Sequence, residues 1–78
     1  MEKVIVNTKM FGKLETTDRA MDHEYKRFQY MDRKQLFTRL KKVTNAKKLV
    51  AMIQTARMFG RRGLEAAAKD RIVELYYA

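Results

Sequence analysis

No proline interrupts this chain, and its three glycines stand at Gly12, Gly60 and Gly63. Backbone punctuation is confined to the N-terminal part and to one point near residue 60, and nothing between them prevents long helices. The 78 residues hold no Cys and one His. Neither disulfides nor a structural zinc site can hold so small a core together. Helix packing and self-association remain as sources of stability, and a homodimer is one expectation from size alone. Hydrophobic residues make up 46% against 35% charged, the composition of a folding chain and not of a disordered polycation.

Residues 1–16 differ from the rest. Val4-Ile5-Val6 is short and β-branched, and Asn7-Thr8 or Gly12 can turn the chain. The expectation is an extended arm or a short strand or hairpin. A two-stranded ribbon is marginal alone, so it must dock on the helices or pair across a dimer. From Thr17 the period becomes helical. Thr17 or Asp18 caps a first helix with Met21, Tyr25 and Phe28 on one face. Asp32, with Gln35 three residues on, approximates a capping box and starts a second helix with Leu36, Phe37, Leu40 and Val43 inward. Thr44-Asn45 restarts the chain into a third, whose core face is Leu49, Met52, Ile53, Ala56 and Phe59. Gly60 ends it, because glycine accepts positive φ after a helix. A last helix, Leu64 to Tyr77, turns Leu64, Ala68, Ile72, Leu75 and Tyr76 inward. Helices three and four form an antiparallel hairpin. The expected fold is all-α: a small three- to four-helix bundle over 17–78, preceded by an N-terminal arm or short β element over 1–16.

Charge is distributed unevenly. From Asp32 to Gly63 ten Lys and Arg residues face one acid, while the flanks contribute +1 and −1 to a whole-chain net of +9. Such a concentration argues for an anionic partner. No acid stands between Asp32 and Glu65, so these bases lack a sequence neighbour for an i,i+4 ion pair. On helix two, Lys34, Lys41 and Lys42 occupy the face away from Leu36 and Leu40, with Arg39 on its flank. Lys47 and Lys48 follow in the next turn. Arg61 and Arg62, between two glycines and before a helix N-terminus, are suited to phosphate. The Gly60-Arg61-Arg62-Gly63 spacing matches the GxxG loop of KH domains, but that family's three-stranded sheet has no counterpart in the pattern, so no membership follows. A helix-turn-helix centred on Thr44 meets a similar objection, since Arg39 and Asn45 fall where apolar residues are wanted. On helix one, Arg19, His23, Lys26, Arg27 and Tyr30 share the outer side. Tyr30 there can stack on a base, although a plain solvated face explains the same pattern.

No Cys nucleophile, His pair, phosphate loop or dinucleotide fingerprint occurs, so no catalytic, metal or cofactor residues are assigned. The function expected is non-catalytic binding of nucleic acid, DNA or RNA, through phosphate contacts by Lys34, Arg39, Lys41, Lys42, Lys47, Lys48, Arg61 and Arg62, with Tyr30 stacking. The alternative is a small regulator or inhibitor that docks on an acidic protein. Met58 and Val73, pointing away from their helices' core faces, favour a protein contact or a dimer seam. With no long apolar run, a membrane partner is not expected and a cytoplasmic location is the default.

Overall fold

Thr8 and Gly12 make the first turn. Gly12 has φ of +74°, which glycine adopts without a Cβ clash. The Thr8 hydroxyl donates to the Gly12 carbonyl and accepts from the Phe11 N–H. In the computed structural model, which describes residues 3–77, this turn joins strands β1 (Lys3–Thr8) and β2 (Gly12–Thr17). They pair antiparallel, with Val4 opposite Thr16 and Val6 opposite Leu14. Because side chains alternate along a strand, Val6 and Thr16 are buried while Ile5, opposite Glu15, is exposed.

Thr17 ends β2 and caps the first helix, α1 (Asp18–Tyr30), its hydroxyl accepting from the Ala20 N–H at 3.1 Å. Helix α2 (Arg33–Leu40) opens on a complete capping box: Asp32 accepts from the Gln35 N–H at 2.8 Å and the Gln35 side chain accepts from the Asp32 N–H at 3.0 Å. Asn45 caps α3 (Ala46–Met58) by accepting from the Lys47 and Lys48 N–H groups. Each cap of this kind is worth about 1 kcal/mol. Helix α4 (Arg62–Ile72) follows, and its last turn, Val73–Tyr77, widens to π-helical geometry.

Helix α3 is the centre of the molecule. It buries Leu49, Val50, Ala51, Met52, Ile53, Thr55 and Ala56, and α1, α4 and β2 all pack against it. A helix that is apolar on most sides is a core helix. One cluster joins Leu40, Leu49, Val50, Ile53, Ala68 and Ile72 to Val6 of the hairpin, with Val4, Phe11 and Leu14 against it. A second joins Phe28, Leu36, Ala56 and Leu64, with Met31, Phe37 and Phe59 around them.

The molecule is therefore not an all-α bundle. Over the described residues it is a mixed α/β structure, four helices with a two-stranded antiparallel sheet. The reason is energetic. The hairpin's inward residues complete the core, and burying Val6 alone contributes roughly 1.5–3 kcal/mol. The Thr16 hydroxyl also donates to the Lys47 carbonyl at 2.6 Å, tying β2 to the start of α3. Two of the expected inward residues are placed differently. Tyr25 is exposed, meeting Phe59 edge-on with ring centroids 5.3 Å apart. Tyr76 is exposed and donates its hydroxyl to the Thr44 carbonyl, latching the last turn to the α2–α3 connection.

Candidate nucleic-acid interface

Two of the ten bases in the 32–63 segment are paired with acids from outside it. Arg39 turns toward α1, where the Glu24 carboxylate is 1% exposed. Its guanidinium takes both carboxylate oxygens, Nη2 to Oε2 at 2.9 Å, and Nη1 also lies 3.7 Å from the Met52 sulfur. A buried carboxylate without a partner is heavily penalised, so Arg39 is held by the core and does not stand among the exposed bases as the sequence implied. Arg57 pairs with Glu65 at 3.0 Å and donates to the Asn7 carbonyl at 2.8 Å. Lys69 reaches the same carboxylate at 3.1 Å. Burial pushes the Glu65 carboxyl up, but the hydrogen bonds and charges of Lys69 and Arg57 outweigh it and hold the group below its ordinary value. Removing Arg39 and Arg57 from the ten leaves Arg33, Lys34, Lys41, Lys42, Lys47, Lys48, Arg61 and Arg62, which make no ion pair among the described residues.

These eight do not form one surface. Lys47 and Lys48 share a groove of about 340 Å³ with Thr17, Arg19, Ala20, His23 and Asn45. No acid lines it. Arg19 and His23 stand one turn apart on α1, and the packing of α1 along α3 brings them to the first turn of α3. Along the sequence these four residues belong to two separate candidate faces; the fold makes them one. Lys34 and Lys42, with Met31, Gln35, Thr38 and the edge of Arg39, line a second groove on the outer side of α2. Lys41 goes elsewhere. It faces α4 in a groove that also holds Asp70, Arg71 and Glu74; Glu74 is paired with Arg71, and Asp70 dilutes the charge of Lys41.

Arg61 and Arg62 line a fourth groove, of about 550 Å³, together with Asp32, Arg33, Gly60, Gly63 and Leu64. Lys47 lies in the first turn of α3 and Gly60 follows its end, so the 13 residues of the helix separate the two basic grooves by about 20 Å. Tyr30 is 84% exposed and lines none of these grooves. On its own helix Lys26 is engaged by Asp22 at 3.2 Å.

Sequence reasoning missed Arg33, which no local pattern sets apart, and it left Arg19 and His23 apart from Lys47 and Lys48. Both omissions concern contacts between residues distant along the chain. Among the described residues no three His, Cys, Asp or Glu side chains gather as a metal would require, and no helix is long and apolar enough to cross a membrane. Comparison with known proteins finds no family model, no curated protein and no solved structure that matches the chain.

Proposed function

We propose that this chain is a non-catalytic nucleic-acid-binding protein that seats phosphates in the groove between α1 and α3. Arg19, Lys47 and Lys48 neutralise phosphate oxygens, His23 donates a hydrogen bond, and Lys34 and Lys42 add charge from α2. The supporting observation is that, among the described residues, a groove lined by three cations holds no acid. Uncompensated like charges held together destabilise the folded state, and a polyanion relieves that repulsion. Asn45, the groove's best candidate for reading base edges, is already engaged as the cap of α3. Contacts are therefore mainly to the backbone, and sequence preference is weak. Tyr30, fully presented to solvent, is available to stack on an unpaired base.

The test is a titration with random single-stranded and double-stranded oligonucleotides at several salt concentrations. Five phosphate-contacting bases give a log–log slope of about −4 to −5 on duplex. Affinity weaker than micromolar that vanishes at physiological salt would contradict the proposal. The exposed Met10 and Met58 favour the second reading in that event, in which the same bases meet the carboxylates of an acidic protein.

A further inference from the structure

The connection between α3 and α4 has features that its role as a turn does not use. Gly60, at φ +71°, lets its own N–H reach the Arg57 carbonyl at 3.2 Å and the Arg61 N–H reach the Ala56 carbonyl at 2.8 Å. These two bonds satisfy two of the last carbonyls of α3. The residue they deliver to the start of α4 is Arg61, which makes no side-chain cap. Among the described residues the N–H groups of Arg62 and Gly63 in the first helical turn have no side-chain acceptor.

The Arg61 side chain runs back instead. Its guanidinium carbon lies 5.7 Å from the centroids of both Phe28 and Phe59, two rings that pack edge-to-face against each other. Nη1 is sealed from solvent and has no hydrogen-bond partner among the described residues. The guanidinium is thus packed against two rings, partly stripped of water, and without a counter-ion among the described residues. Desolvating a charge in this way is unfavourable, and an anion at its open edge offsets the penalty. Arg33 faces the same groove. Its guanidinium lies 5.3 Å from the Phe37 ring centroid, and Nη2 would stand 3.2 Å from a Cβ at position 63. Glycine at that position leaves Arg33 room against the first turn of α4. Arg62 is exposed on the same wall. Asp32, the one acid among the described residues that line the groove, is engaged by the Gln35 N–H as the cap of α2.

We infer that this groove binds one phosphate monoester, with Arg33, Arg61 and Arg62 as its ligands. A phosphodiester presents one charge on two non-bridging oxygens. A monoester presents nearly two charges and three strong acceptor oxygens, which matches three guanidinium forks and the open N–H groups of a helix start. A terminal phosphate of a nucleic-acid strand and free inorganic phosphate share this chemistry. The site lies at the opposite end of α3 from the groove of the proposed function, so each can fail without the other.

The test follows the amides of Arg62, Gly63 and Leu64 by 15N NMR while inorganic phosphate replaces chloride at constant ionic strength. Saturable shifts confined to these amides are expected. The double variant Arg33→Gln/Arg62→Gln, which leaves the Arg61 stack intact, weakens them about tenfold. Absence of saturation, or shifts that the double variant leaves unchanged, overturns the site. A 5′-phosphorylated trinucleotide that binds about tenfold more tightly than its 5′-hydroxyl counterpart assigns the strand end as the ligand. Equal affinities, with the phosphate shifts retained, assign free phosphate.

Discussion

Arg39 and Lys47 leave the same basic segment, eight residues apart, and end in opposite environments. Arg39 is drawn into the packing between α1 and α2, where Glu24 takes its charge. Lys47 stays in water beside Lys48, Arg19 and His23, in a groove that no acid lines among the described residues. Arg57 follows Arg39, held by Glu65. The contrast shows that a charge run divides on folding into bases that the flanks neutralise and bases that they cannot reach. Only the second set bears on a partner.

Breaking the inner pair has the largest expected effect. Glu24→Gln leaves the Arg39 guanidinium packed in the core without its counter-charge, which destabilises the fold by about 3 kcal/mol. For a domain of this size that lowers Tm by about 10 °C or more, read by circular dichroism. Replacing both partners, as Glu24→Leu with Arg39→Met, recovers most of the loss, because it removes the charges together. An unchanged Tm in the single variant would place Arg39 back among the surface bases.

The Arg57–Glu65–Lys69 group gives a smaller effect, through pH. Because its folded-state pKa is lowered, Glu65 contributes stability that is present above its unfolded-state value, near 4.5, and is lost as pH falls toward the depressed one. The contribution is below about 1 kcal/mol, since Arg57 is substantially exposed. Urea unfolding at pH 7 and at pH 3 reads it: Glu65→Gln narrows the difference between the two. If the variant loses as much stability on acidification as the parent, the pair carries no linkage.

Most of the local structure was legible in the sequence. Thr17, Asp32 with Gln35, Asn45 and Gly60 act over four residues or fewer, and each does at its position what its chemistry implies. The fold class was not legible. Val4, Val6 and Leu14 supply a docking face, but the helices they dock on are set by packing between distant segments. The site was legible as a list of bases and not as surfaces. Glu24 lies between His23 and Tyr25 and has the sequence signature of a solvated acid; only the approach of α2, 15 residues on, makes it a core residue. Lys41 and Lys42 are adjacent in the chain but line different grooves, one beside Asp70 and Glu74 and one away from them. No periodicity argument separates them, because the helix ends at Leu40.

The most direct measurement compares three proteins, the parent, Lys47→Gln/Lys48→Gln and Lys41→Gln, by fluorescence anisotropy on one duplex across a salt series. All three should unfold within about 0.5 kcal/mol of one another, as surface substitutions do. The double variant should lose about 2 from the magnitude of the log–log salt slope, and Lys41→Gln should leave it nearly unchanged. Equal slopes for the parent and the double variant, or a loss as large in Lys41→Gln, would contradict phosphate binding by the groove between α1 and α3.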